Sequence, residues 1–176
     1  MDINDAPKAR LADHLRELDP LTATLHREAA PLLGHAMLDL LEEAGLGPGN
    51  IEAVGGEGPL ALAIATAILH AAAARGQYLD AFLIDDAVAR PAIDGPVVVV
   101  GFDSARVPGE LAAGGPDEGP KVAGVAVVVG AAGAEDVGAT GAEGVGAAGG
   151  DGVVELALFE ASDLGEAKWP TIHTAS

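Results

Sequence analysis

Cysteine is absent from the 176 residues. That excludes a disulfide scaffold, a thiolate zinc site and a thiol nucleophile. Aromatics are scarce, with one Trp, one Tyr and three Phe, so a core has to be built from aliphatic side chains. Cations are scarce too. Nine Lys and Arg stand against 27 Asp and Glu, a formal net charge of −18. A phosphate backbone is met by clustered Lys and Arg, and beyond Arg106 only Lys121 and Lys168 remain. Nucleic acid and anionic membrane surfaces are therefore excluded as partners. No apolar run reaches the ~20 residues that span a bilayer. The longest, Pro59 to Ala74, contains His70. Met1 to Asp5 carries two acids and no apolar run, unlike a secretory signal. The expectation is a cytoplasmic protein.

What is present is aliphatic and glycine-rich. Apolar residues make up 49% of the chain, with 25 Gly and 11 Pro. That apolar share is too high for a disordered chain, and the length suits one core. The reading is a single domain over residues 1–165 with a tail over 166–176, where Trp169 could anchor on the body or on a partner.

Leu11, Leu15 and Leu18 recur at helical spacing and predict a helix over Ala6 to Leu18, ended by Pro20. A second helix is predicted from about Leu25 to Ala44, starting nearer Ala30 or kinking at Pro31. Ile51 to Val54 reads as a strand and Gly55 to Pro59 as a tight glycine loop. Leu60 to Ala74 reads as an Ala-rich helix. Strands follow at Leu79 to Ile84, Val97 to Val100, Val122 to Val129 and Val153 to Phe159. Val97 to Val100 is apolar throughout, as in a strand buried on both faces. The alternation predicts a three-layer α/β domain with a mainly parallel sheet of about five strands flanked by helices. A helical turn around Glu110 to Ala113 and a loose helix or loop over Ala131 to Gly150 complete the reading.

Ligands of open α/β sheets bind beyond the carboxyl ends of the strands. Those ends carry the candidate ligand-binding residues Gly55, Gly56, Glu57, Gly58, Asp85, Asp86, Asp103, Ser104 and Arg106. Gly56 to Ala61 fits G-x-G-x-x-A, a dinucleotide fingerprint, with Asp85 or Asp86 available for a ribose. Glu57 and Pro59 weigh against it, because a pyrophosphate needs neutral amides there. No cofactor is called for, although Asp85, Asp86 and Asp103 are oxygen donors that could converge on a divalent cation such as magnesium. Arg90 and Arg106 are the cations near this edge. Arg106 suits a carboxylate or phosphate, or an ion pair with Asp103 or Glu110. Asp103-Ser104 has no histidine placed as base, so no catalytic residue is assigned. His35 and Asp39 share a helix face at i, i+4, and His26 is expected at a helix start or a dimer contact.

A longer series adds a resemblance. It comprises Leu18 to His26, the helix after it, Val54-Gly55-Gly56, Leu79 to Ile84 and Ile93-Asp94-Gly95. Val97 to Val100, Val122 to Val129 and Ala161 to Gly165 complete it. The chain over most of residues 10–165 resembles orotate phosphoribosyltransferases of actinobacterial type. The resemblance implies a type I phosphoribosyltransferase fold and a homodimer. It also marks departures. The family's longer pyrophosphate loop is cut to Gly55–Pro59, with Glu57 inside it. Asp85-Asp86 stand where the family has Arg-Lys. Ala87 to Ala92 replaces a long mobile basic loop. Gly101 to Gly109 replaces a turn of two acids and Thr-Thr-Gly that wraps a phosphate. The N-terminal orotate-contact segment is missing, so hood and mobile loop are reduced. These departures predict a degenerate member that has lost phosphoribosyl transfer and acts as a non-catalytic dimeric binding or interaction protein. The alternatives are an active phosphoribosyltransferase of pyrimidine nucleotide synthesis with an unusual site, and a Rossmann-like dinucleotide-binding protein.

Overall fold

A computed structural model describes residues 5–86, 88–103, 120–130 and 153–165. Three helices come first: α1 (Asp5–Glu17), α2 (Pro20–Leu25) and α3 (Ala29–Glu43). Strand β1 (Ala53–Glu57) leads into α4 (Gly58–Ala74), then β2 (Asp80–Asp85), β3 (Val88–Arg90), β4 (Pro96–Asp103), β5 (Lys121–Gly130) and β6 (Val154–Glu160). A short helix, α5 (Ala161–Leu164), follows β6 directly. Expected features at Ser104, Arg106, Glu110 to Ala113, Ala131 to Gly150 and Trp169 lie outside the described residues.

The helix expected from about Leu25 begins at Ala29, close to the alternative start at Ala30, and a separate short helix, α2, precedes it. Asp19 caps α2, accepting the Thr22 N–H at 3.1 Å, and Pro20 opens that helix rather than merely closing α1. His26 ends it. Pro31 then falls in the first turn of α3, where its missing N–H costs nothing.

The sheet has six strands in the order β3-β2-β1-β4-β5-β6, one more than the sequence pattern suggested. All neighbours run parallel except β3, which pairs antiparallel with β2 through Leu83–Arg90 and Asp85–Val88. At three residues, β3 is too short to show a period of two.

The residues read as a glycine loop are mostly strand. A Cβ on Gly55 would stand 2.1 Å from the Phe82 carbonyl oxygen. One on Gly56 would stand 2.6 Å from the Val100 oxygen and 2.8 Å from the Ala61 Cβ. Both glycines therefore continue β1 because its neighbours leave no room for a side chain. The turn into α4 narrows to Gly58, whose φ of +82° suits glycine.

Alternation sorts the core into two faces. Val54, Val98, Val100, Phe102, Ala126 and Val128 pack under the helices, with Leu11, Leu15, Leu33, Met37, Leu41, Ile64 and Ile68. Ala53, Phe82, Ile84, Val97, Val99, Val125 and Val127 form a second cluster on the opposite face. No described helix contributes to that second cluster, so the described residues supply two of the three expected layers. Gly34 lets α3 approach α4 closely, since a Cβ there would meet the Ala67 oxygen at 2.3 Å. Among the described residues, no helix is long and apolar enough to cross a membrane.

Candidate functional site

The chain leaves β1 towards β2 on one side and later adds β4 and β5 on the other. Strand order thus reverses between β1 and β4, where open α/β sheets bind ligands. A cleft of about 260 Å³ lies there. Its walls are Glu57, Pro59, Leu60 and Ala61 from the end of β1 and the first turn of α4, with Val100, Gly101 and Phe102 from β4. The strands reach this point because valines bury them on both faces, and α4 reaches it because Gly56 permits close contact with Ala61.

Four of the expected ligand-binding residues meet at or beside this cleft. Glu57 lines it, while Gly55, Gly56 and Gly58 build the strand and turn beneath it. Glu57 is exposed, and its carboxylate makes no cap bond to α4. Sequence reasoning missed Leu60, Ala61, Val100 and Phe102 as walls. The only available signal was their place just past or just before a strand end.

The acids do not converge. Asp85 shares the helix-side face of β2 with Ala81 and Leu83, whereas Asp103 shares the opposite face of β4 with Val97 and Val99. β1 lies between them, a separation of about 10 Å across two strand spacings. Asp85 instead faces Arg90 across the hairpin, Nε to Oδ2 at 3.9 Å. Asp86 sits in the hairpin turn with φ +48°, a conformation aspartate tolerates better than most residues. Among the described residues, no group of three His, Asp or Glu is placed to hold a metal ion. Asp85 and Asp103 therefore do not form the expected joint cluster, and no chemistry is derived through a magnesium ion. Ser104 and Arg106 lie outside the described residues.

Two further expectations resolve into structural roles. His35 and Asp39 are held by Arg75 at the end of α4, whose guanidinium reaches Asp39 at 2.6 Å, Glu42 at 2.9 Å and the His35 Nδ1 at 3.5 Å. His26 stands at a helix start, its Nδ1 accepting the N–H groups of Glu28 and Ala29. The dinucleotide fingerprint loses its physical basis, because Gly56 lies within a strand and not in a phosphate-cradling turn.

No protein-family model matches the chain. An orotate phosphoribosyltransferase of Streptomyces avermitilis is 38% identical over 121 residues, covering 62% of this chain and 64% of that protein. The chain thus matches just under two thirds of this curated relative's length. A crystal structure of the Mycobacterium tuberculosis orotate phosphoribosyltransferase with 5-phospho-α-D-ribosyl 1-diphosphate superposes with a TM-score of 0.65 at 27% identity. It covers 90% of this chain and 99% of the other. A phosphoribosyltransferase from Corynebacterium diphtheriae gives 0.67 at 27% identity, with 91% and 99% covered. Strand order, the cleft at the strand reversal and these likenesses agree: the chain has the fold of the orotate phosphoribosyltransferases and is similar in sequence to their actinobacterial members.

Proposed function

We propose that the chain is a phosphoribosyltransferase of the orotate type, working at the cleft between β1 and β4. The observation that carries this reading is the cleft itself. It is open, it lies at the strand reversal, and its walls come from the strand ends that the fold uses for ligands. The likeness to a complex with phosphoribosyl diphosphate extends over nearly the whole of both chains, which supports an active protein more directly than a merely structural one. The test is a coupled assay for pyrophosphate release from phosphoribosyl diphosphate with orotate, beside calorimetric binding of each. Saturable binding with release is the expected result. Binding of neither compound at millimolar concentration would remove the reading.

A second reading, a family member that has given up transfer and serves as a dimeric binding protein, draws on one feature. Glu57 stands in the cleft wall, and Asp85 and Asp86 lie along the same edge of the sheet. Phosphoryl groups are stabilised by amide nests and cations, and these carboxylates oppose that. Binding of phosphoribosyl diphosphate without release would favour this reading over the first.

In either case we propose a homodimer built on the outer face of α2 and α4. All 17 residues of α4 are uncharged, although surface helices ordinarily place charge on their outer face. Leu62 on α4 is 40% exposed, and Leu25 on α2 is 68% exposed. Between α3 and α4, Ala30, Pro31, His35, Ala67, His70 and Ala71 line a shallow groove of about 250 Å³. On a chain of net charge −18, a neutral face is where two copies meet with least repulsion.

A further inference from the structure

We propose that Glu57 is a specificity-determining residue of the cleft, favouring a hydrogen-bond-donating ligand face such as sugar hydroxyls or an amine, and weakening the hold on a polyanion. The proposal rests on the cleft being the ligand site, and it goes beyond that reading by assigning what the site discriminates.

Three observations support it. First, the carboxylate has no structural task. Glu57 precedes α4 as its N-cap residue but makes no side-chain capping bond, and its carboxylate joins no ion pair or hydrogen bond among the described residues. A charged side chain kept beside a cleft without such a task is available to a ligand. Second, among the described residues it is the only charged side chain lining the cleft; the others are Pro59, Leu60, Ala61, Val100, Gly101 and Phe102. A phosphate entering there meets one fixed negative charge and, among the described residues, no wall cation. Third, the first turn of α4 is a poor anion site. Helix starts attract anions through free N–H groups, but Pro59 in this turn has none, and Glu57 already places a negative charge there.

The size agrees with a small neutral group. About 260 Å³ lies just under the ~300–1,000 Å³ of ordinary ligand pockets, which suits one sugar or one heterocycle. A carboxylate at the rim accepts two or more hydrogen bonds from adjacent hydroxyls. It orients such a ring without needing a cation.

The experiment compares the native chain with Glu57→Gln and Glu57→Lys, using inorganic pyrophosphate as the probe in calorimetry at low and high salt. Affinity is expected to rise in the order Glu, Gln, Lys, by roughly tenfold for Glu57→Gln at low ionic strength, with the gap narrowing as salt is added. A flat series, or no pyrophosphate binding by any of the three, overturns the proposal. Melting temperatures should agree within about 2 °C, since no bond is lost; a larger drop would mean that Glu57 is structural and would also overturn it. The transfer reading fails separately. If pyrophosphate affinity climbs while no variant releases pyrophosphate from phosphoribosyl diphosphate and orotate, Glu57 keeps its role and the activity does not. Turnover with a flat series gives the reverse.

Discussion

The imidazole rings of His14 and His26 lie 5.1 Å apart, centroid to centroid, tilted by 44°. One ring comes from α1 and the other from the corner between α2 and α3. The His14 Nε2 also approaches the Glu28 carboxylate at 3.6 Å. The pair joins the first helix to the corner it covers.

His26 holds that corner by accepting. Its Nδ1 takes the N–H groups of Glu28 and Ala29, each at 3.3 Å, so this nitrogen carries no proton and the neutral ring bears its hydrogen on Nε2. Nitrogen-15 spectra at pH 8 should show that tautomer. His26→Asn retains an acceptor and should melt close to the native chain. His26→Leu removes it and should cost about 1 kcal/mol, as loss of a helix cap does. Equal melting of the Asn and Leu variants would count against the cap.

Asp19 should give the chain a small acid-sensitive increment of stability. Its carboxyl is held below the usual carboxylate range, first by the Thr22 hydroxyl and then by the Thr22 N–H. A folded-state value below the unfolded one means that the contribution is complete above the unfolded value, ~3.9. It is lost as pH falls through the folded value. The melting-temperature gap between native and Asp19→Ala should stay level from neutral pH to about 4 and close below that. A gap that widens in acid would contradict this assignment.

Gly34 and Gly56 should not accept alanine. At Gly34 the new methyl group would press on a backbone oxygen of α4, and at Gly56 on β4 and on Ala61 together. Overpacking of this kind costs about 1–3 kcal/mol. Thermal melts of Gly34→Ala and Gly56→Ala should show it. Only Gly56→Ala should also weaken ligand binding, because it displaces the helix that walls the cleft.

Arg75 ties α4 to α3 through Asp39 and Glu42 while remaining about a third exposed. Exposed ion pairs contribute little, so Arg75→Ala should lose at most about 1 kcal/mol. The loss should shrink in high salt. Zinc added to the native chain should not shift its melting temperature through His35 and Asp39, because their partner is already the guanidinium.

The neutral face of α2 and α4 should govern assembly. Leu25→Glu and Leu62→Glu each place a charge on it, opposite its own copy under two-fold symmetry. Light scattering should find a dimer for the native chain and monomers for these variants, with helix content unchanged.

The strands were legible because valine runs announce burial on both faces, as in Val97 to Val100. The start of α3 was legible from Pro31, but the separate short helix α2 was not, because leucines continue at helical spacing from Leu21 to Leu33 and hide the corner at His26. Gly55 and Gly56 read as a loop because glycine weakens a strand locally; only the bulk of Phe82 and the nearness of β4 explain their place in β1. At the site, the sequence located the carboxylates along the chain but not their facing. A one-residue change in a strand boundary moves a side chain to the other face of the sheet. The convergence of Asp85 with Asp103 depended on that detail.

Strand β3 has a kinetic consequence. The pairing of Asp85 with Val88 reverses the chain within two residues, and β3 then runs back down the sheet, away from the mouth of the cleft. Among the described residues, this edge offers no arm that must swing aside before a ligand enters or after it departs. Past β3, exchange is therefore expected to be set by encounter. Association there should slow in proportion to solvent viscosity, as it does for a harbour without a gate.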